Sequence, residues 1–316
     1  MSTAGSAELL ADGGAAASGE DFFRSREYLE AEGATHSLRI TAGSEELCAP
    51  VIVRDDLPGD ALDAISPYGY PGFASSEESS AGQVDPDGID FAATGLVSIF
   101  IRHALGPEPP LAGARRRNPV LLADPALPRK SRMSDRQQVR RNERAGYEVR
   151  IVPGPETSES ERRTFHALYT ETMVRTEADE SYMYSPGYFD AILDAKATWL
   201  AIATTGEGEP AAASILARSD GVLHYHLSGT GDAHLGDSPM KTIVFALIDF
   251  AEGEEMPLNL GGGVAPGDSL EKFKRGFANR EERLFTSEVV CDRAAYEELS
   301  AGKDAGGFFP AYRAPS

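Results

Sequence analysis

The residues able to do chemistry crowd between Leu223 and Phe277, in the runs LHYHLSGTGDAHLGDSP, MKTIVFALIDFAEG, MPLNLGGG and DSLEKFKRGF. His224 and His226 alternate with Leu223, Tyr225 and Leu227, the spacing of a strand with two unlike faces. An imidazole with an ordinary pKa of about 6.5 would make His226 a base near neutrality; a strand histidine can equally be structural. Gly229, Gly231 and Gly236 then lead into a helix that Ser238 can cap and Pro239 can open. A loop feeding a helix N-terminus turns backbone N–H groups toward an anion, usually a phosphate, and glycines let the backbone come close. The same residues also read as an ordinary loop. Ser228, Gly229 and Thr230 add further donors, and Arg175, Tyr182 and Tyr184 lie upstream as candidates to hold a substrate. After the triplet Gly261-Gly262-Gly263, the capping box Asp268-Ser-Leu-Glu271 starts a short helix carrying Lys272, Lys274 and Arg275. There is no Ser/His/Asp arrangement, no cysteine with a nucleophile signature, and no HExxH or CxxC spacing, so no metal site is expected.

The elements that must position these groups read as strand, loop, buried helix, strand, glycine turn, short helix. Met240, Ile243, Val244, Leu247 and Ala251 give the helical period, and Phe245, Ile248 and Phe250 make the far side apolar too, as in a buried helix. Upstream, Tyr147 to Val152 reads as a strand, Thr157 to Thr176 as a long helix, and Ser185 to Ala195 as another helix. Three strands joined by tight turns follow, Thr198 to Thr204, Pro210 to Arg218 and Val222 to Leu227. Glu282 to Val290 closes the series as a last strand.

The first third is less regular. Residues 1–19 are Ala-, Gly- and Ser-rich and read as disordered. Asp21 to Glu32 fits a short helix, His36 to Thr41 and Leu47 to Arg54 fit strands, and Gly88 to Thr94 fits a helix leading to a strand that ends at Arg102. Ser66 to Phe73 is a Pro- and Gly-stiffened loop whose Tyr68 and Tyr70 could stack on a ligand or simply pack on the loop itself.

With 316 residues, 41% hydrophobic and 25% charged, the chain has the composition of a soluble globular protein of one large or two modest domains. No apolar run reaches the roughly 18 residues needed to span a bilayer, and no signal peptide is seen, so membrane insertion is not expected. Cys48 and Cys291 read as isolated reduced thiols, consistent with a cytoplasmic location. A net charge of −20 argues against broad nucleic-acid binding, and DNA is not an expected partner. Positive charge is nevertheless concentrated between Arg115 and Arg150, where only Asp124, Asp135, Glu143 and Glu148 oppose eleven cations. Arg136, Arg140 and Arg144 fall four apart on one helical stripe. That stripe is either a solvated face or a local phosphate site.

The run SGT…SPMK…LNLGGG…LEKFKRGF resembles the second half of Fem-type aminoacyltransferases, a branch of the GNAT acyltransferase superfamily. The resemblance covers residues 133–290 well and the first third loosely. It implies an α/β (α+β) fold of two GNAT-like lobes with mixed, mostly antiparallel sheets flanked by helices. The first lobe (20–132) would be abridged and the second (133–316) complete, with two adjacent strands splayed apart for an acyl donor. It implies transfer of an amino acid from aminoacyl-tRNA to a free amine of a peptide-type or nucleotide-linked acceptor, without a bound cofactor. A monomer or weak dimer is expected. Lys274 of FKRGF matches the lysine of the family's F-K-x-G-F motif, which implies a donor-side role. Phe273, Tyr225, Ser228, Tyr184, Arg175, Arg102, Tyr68 and Tyr70 are then substrate-binding candidates, His226 a catalytic one. Arg136, Arg140, Arg144, Lys272 and Arg275 are candidates for tRNA phosphates. The Gln-Trp-Lys signature near the N-terminus of the cell-wall members is absent, which turns the acceptor toward smaller peptidyl intermediates of antibiotic pathways. An acetyl-CoA-dependent N-acetyltransferase is the alternative within the superfamily, although GTGDAHLGDSP lacks the leading basic residue of a pyrophosphate loop. A catalytically silent peptide- or nucleotide-binding protein is the third reading.

Overall fold

The computed structural model describes residues 5–17, 21–75, 83–263, 265 and 267–314. The chain divides into two compact units, the first formed from residues 1–19, 23–117 and 283–316 and the second from 20–22 and 118–282. In chain order, the first unit holds β1 (Gly5–Leu10), α1 (Arg26–Ala31), β2 (His36–Ala42), β3 (Glu45–Arg54), β4 (Asp63–Ile65), β5 (Ala74–Ser75), β6 (Ile89–Asp90), β7 (Ser98–Arg102) and β8 (Arg115–Arg116). The second holds β9 (Val120–Ala123), α2 (Met133–Arg144), β10 (Glu148–Pro153), α3 (Glu159–Arg175), α4 (Pro186–Asp194) and β11 (Thr198–Thr204). It continues with β12 (Pro210–Ser219), β13 (Val222–Thr230), α5 (Pro239–Gly253), β14 (Leu258–Gly261), α6 (Ser269–Arg275) and β15 (Arg280–Glu282). The chain then returns to the first unit with β16 (Phe285–Val290) and α7 (Arg293–Ser300).

Each unit is built on its own mixed sheet, so the expected α/β architecture of two lobes is what the chain adopts. The first sheet runs β6-β1-β2-β3-β4-β7-β16-β8, with β5 also paired to β3. The second runs β10-β11-β12-β13-β14-β9-β15. Two strands sit where the sequence reading did not place them, and they move both borders. β9 pairs with β14 and β15, which carries residues 118–132 into the second unit. β16 pairs with β7, with Ser287 opposite Ile101, which carries the tail into the first. The tail is fastened there by Arg313, whose guanidinium bonds the fully buried Asp63 at 2.7 Å and the exposed Asp56 at 2.5 Å.

Residues 5–10, expected to be disordered, form β1, because β2 offers a full edge from Ser37 to Thr41 and Ala7 is buried against it. The helix expected over Gly88 to Thr94 is instead a 3-10 turn, the two residues of β6, and a second 3-10 turn ended by Gly95. Phe22, Phe23, Tyr28 and Leu29 are all buried, as their spacing predicts.

The second unit's core is laid down by α5, whose Ile243, Val244, Leu247, Ile248 and Ala251 pack with Leu216, Leu223, Leu258, Leu260 and Phe277. Burying side chains of this kind contributes about 1.5–3 kcal/mol each. α3 starts at a reciprocal capping box between Ser158 and Glu161 and buries Phe165, Leu168 and Tyr169. Gly229 of β13 passes so close to α3 that a Cβ there would lie 2.4 Å from the backbone of Leu168 and Tyr169. That glycine is required by helix–strand contact, not by an approaching phosphate. Among the described residues no helix is long and apolar enough to cross a membrane.

Candidate active site

The second sheet opens at one place. β13 and β14 are parallel and are joined only at Leu223–Leu258 and His224–Asn259. β13 continues through Tyr225 to Thr230 and β14 through Leu260 and Gly261, with no further pairing between the two. On its other edge β13 steps in register from Ile215–Leu227 to Leu216–Tyr225, so His226 is the extra residue of a β-bulge. A bulge bends the strand that carries it and adds to its local twist. The parted strands are the feature that the sequence resemblance implies for an acyl donor.

Lys274 stands beside the parting. It is 9% exposed, the buried residue of α6, and its Nζ donates to the Gly262 carbonyl at 2.8 Å. An ammonium has three protons, and among the described residues Gly262 is its one acceptor, which leaves two donors for a ligand oxygen. Burial brings the ammonium down to about 8 against the smaller, opposing pull of Asp268. The turn facing it needs glycine. Gly261 has φ of +78°, and a Cβ on it would come within 3.0 Å of Lys274 Nζ. α6 itself begins where the sequence predicts, with Asp268 accepting from the Glu271 N–H at 2.7 Å; Glu271 bonds the Gly267 N–H in return.

Behind the turn lies a pair that sequence reasoning missed. Asn259 accepts from the Gly261 N–H at 2.8 Å through Oδ1, and its Nδ2 lies 3.1 Å from His224 Nδ1. Both side chains are 2% exposed, and burial pushes His224 down to about 3. The only sequence signal was an asparagine among apolar residues in LNLGGG, and a histidine on the strand face opposite Tyr225.

The remaining candidates fall into groups. Tyr225 Oη donates to Ser228 Oγ at 2.7 Å, which places two hydroxyls on β13 beyond the parting; burial lifts the phenol to about 12. Phe273 packs edge-on to Phe277 at 5.2 Å and leans on the core. His226 packs edge-on to Phe22 at 5.3 Å, its Nε2 is buried, and burial pushes its imidazole down to about 3. This corrects the expectation of a base titrating near neutrality. Tyr184 stacks on Tyr188, with ring centroids 4.0 Å apart. Arg175 at the end of α3 is ion-paired to Asp232 and bonds the Thr230 carbonyl, so it secures the loop after β13.

Tyr68, Tyr70 and Arg102 belong to the first unit. Tyr68 is exposed, Tyr70 packs edge-on to Phe23 at 5.5 Å, and Arg102 donates to the Ser66 carbonyl at 2.9 Å. Arg102, at the end of β7, therefore braces the start of the Ser66 to Phe73 loop.

The loop into α5 is not the anion cradle its glycines suggest. Ser238 lies in the left-handed region with φ of 48° and makes no side-chain cap, contrary to expectation. The Asp237 carbonyl is taken by Gln138 and Asn142 of α2, each at 2.9 Å, and its carboxylate by Tyr147 Oη at 2.8 Å. With Asp237 in the loop, Asp232 already paired to Arg175 and Lys241 committed to Asp135 at 2.9 Å, the loop offers a pyrophosphate no free lysine or arginine among the described residues.

Cations are distributed unevenly. Arg136, Arg140 and Arg144 are exposed along α2, opposite a buried stripe of Asp135, Val139 and Asn142, and none is ion-paired among the described residues. Lys272 is exposed likewise, and Arg132 of the same region donates to its carbonyl at 2.7 Å. Arg275, by contrast, is held by Glu271 and Glu281. A cavity of about 150 Å³ between Lys130, Arg275, Arg280 and Glu281 is neutralised in the same way, because Arg280 bonds Asp124 and Glu282. Among the described residues no group of three His, Cys, Asp or Glu side chains converges as metal ligands would.

Residues 129–275 match the family described as acetyltransferase (GNAT) domain. The crystal structure of FemX superposes with a TM-score of 0.59 at 10% identity, over 87% of this chain and 93% of that one. L-PGS from Bacillus licheniformis superposes with a TM-score of 0.54 at 14% identity, over 84% of this chain and 87% of that one. No curated protein matches the chain in sequence. At these identities the likeness is one of fold, and the matched domain spans β13, β14 and Lys274.

Proposed function

We propose, from the premise that this chain is a GNAT-superfamily protein of Fem-like fold, that it is an acyltransferase moving an amino acid from aminoacyl-tRNA to a free amine. The observation that carries the reading is Lys274, a buried ammonium with two donors left for a ligand oxygen, beside the point where β13 and β14 part. In the reaction the neutral amine attacks the ester carbonyl. The carbon–oxygen bond to the ribose breaks, the amine loses a proton, and the ribose oxygen gains one. An ester is already activated, so holding the two reactants in line supplies much of the acceleration. A desolvated cation at the developing oxyanion or the departing ribose oxygen supplies more. No side chain needs to take the acyl group, and the reading involves no bound cofactor.

Tyr225 and Ser228 are the groups we assign to the acceptor side, because they are the hydroxyls on β13 past the parting. Arg136, Arg140, Arg144 and Lys272 are the cations we assign to tRNA phosphates, because they are exposed and carry no ion pair among the described residues. The acceptor in this reading is a peptide-type amine, either an intermediate of a peptidyl or nucleoside antibiotic or a peptidoglycan precursor.

One observation favours a second reading. The family matched by residues 129–275 is described by acetyl transfer, so acetyl-CoA is the donor to test against aminoacyl-tRNA. The acidic, side-chain-filled entry to α5 weighs against a pyrophosphate there. The deciding experiment offers the protein charged tRNA or acetyl-CoA with a panel of amine-bearing peptides. We expect amide product from charged tRNA; product from acetyl-CoA alone would replace the first reading with the second.

A further inference from the structure

We propose that Asn259 is a positioning residue for Lys274, holding the Gly261–Gly262 turn so that the Gly262 carbonyl meets the ammonium, with His224 fixing which way the Asn259 amide faces. The proposal rests on the reading that Lys274 is the donor-side cation. It follows the hydrogen bonds from one side chain to the next. Gly261 N–H is a donor, so the Asn259 atom 2.8 Å from it must be the carbonyl oxygen. The amide NH₂ then faces His224 Nδ1 at 3.1 Å, which makes Nδ1 the acceptor and leaves the ring proton on Nε2. With the Gly261 N–H held and its φ at +78°, the next carbonyl is aimed at Nζ, 2.8 Å away. Asn259 is also one half of the last residue pair joining β13 to β14. One side chain thus ties the point where the strands part to the lysine beside it.

The charged and titratable groups around Lys274 are few. Asp268 at the start of α6 raises its proton affinity and burial lowers it, with the balance at about 8. His224 reaches the turn from β13 through Asn259. From α2, Asp135, paired to Lys241 of α5, abuts Gly276 just past α6, and Arg132 bonds the Lys272 carbonyl.

The test needs no substrate. The protein has six lysines, which are methylated reductively with a ¹³C label and titrated by NMR; the Lys274 signal is the one lost in Lys274→Arg. In Asn259→Ala the freed turn withdraws the Gly262 carbonyl, and the Lys274 midpoint falls by about half a pH unit or more, since a buried ammonium loses an acceptor. In Asn259→Asp the carboxylate still accepts from Gly261 N–H, His224 shifts its ring proton to Nδ1 to donate to the other carboxylate oxygen, and the added negative charge raises the midpoint by about as much. Opposite shifts support the proposal. An unmoved midpoint, or shifts of one sign in both variants, overturns it. If Asn259→Ala does not fold, Asn259→Asp decides alone, a rise supporting and its absence overturning. The transfer assay adds a separate reading, with kcat down about tenfold and acceptor KM unchanged in Asn259→Ala. Failure to transfer an aminoacyl group would sink the proposed function and leave the titration result standing.

Discussion

His224 and Asn259 meet at the last rung joining β13 to β14, imidazole Nδ1 to amide nitrogen at 3.1 Å, and beyond them the strands go separate ways. The two hydroxyls assigned to the acceptor and the turn that meets Lys274 lie within a few residues of that rung. Tyr225 and Ser228 follow His224 on one strand; Gly261 and Gly262 follow Asn259 on the other and receive Lys274. Four predictions test this arrangement.

Replacing Lys274 with alanine lowers turnover by about tenfold or more while leaving the fold intact, because it removes a cation aimed at developing charge. Aminoacyl transfer and a circular dichroism melt, run side by side, check both halves. Unchanged turnover would take Lys274 out of the site.

The same lysine costs stability at neutral pH. Folded, it titrates at about 8; unfolded, at its ordinary value near 10.5. Between those values the unfolded chain binds the extra proton, so stability rises as the pH climbs through the window, and the full cost is present below it. The displacement corresponds to about 3 kcal/mol at most. Lys274→Met should therefore be more stable than the parent at pH 7 by about 1–3 kcal/mol in urea unfolding, with the difference closing above pH 10.5.

Changing Arg136, Arg140 and Arg144 together to glutamine should weaken tRNA binding. The dependence of log K on log salt flattens by about 2–3, which is three phosphate contacts at the usual increment. Filter binding from low to moderate salt measures it, and an unaltered slope would return the stripe to solvation.

Gly229→Ala should destabilise the protein by about 2 kcal/mol or more, since its Cβ would lie 2.4 Å from the α3 backbone and neither element can give way cheaply. Gly236→Ala, at an open position in the following loop, is the control and should be near neutral.

Much of the second unit was legible because its patterns are strong. α5 buries the period of Ile243, Val244, Leu247 and Ala251, with Asp249 and Glu252 exposed at its edge; α3 is read from Phe165, Leu168 and Tyr169 on one face, and α4 from Ser185 and Pro186. Lys274 was singled out by the FKRGF run around it, and the structure buries it beside the parted strands. What stayed hidden was pairing at a distance. β9 reads VLLA, four buried residues with no alternation, so nothing in it tells which sheet it joins. β16 reads FTSEVV, with two adjacent buried hydroxyl residues, and its partner β7 lies far back in the chain. The glycines before α5 misled because Gly229 serves contact with Leu168 and Tyr169, which no local spacing reveals. His226 looked like a base because its titration depends on burial, which sequence does not show. Asn259 was passed over because its bonds run to Gly261 and His224, one of them across strands.

The interlacing of the two units bears on how the protein is made. When a ribosome has released residues 1–117, the first sheet still lacks the strand that pairs with Ile99 and Ile101, and that strand emerges only with residues 285–290. The intervening 165 residues, 118–282, must be synthesised first. Closing so long a loop carries an entropic cost that slows β pairing. The amino-terminal portion thus waits, part-built, until β16 has been made, and nascent chains arrested before residue 290 should be the ones that proteases and chaperones find.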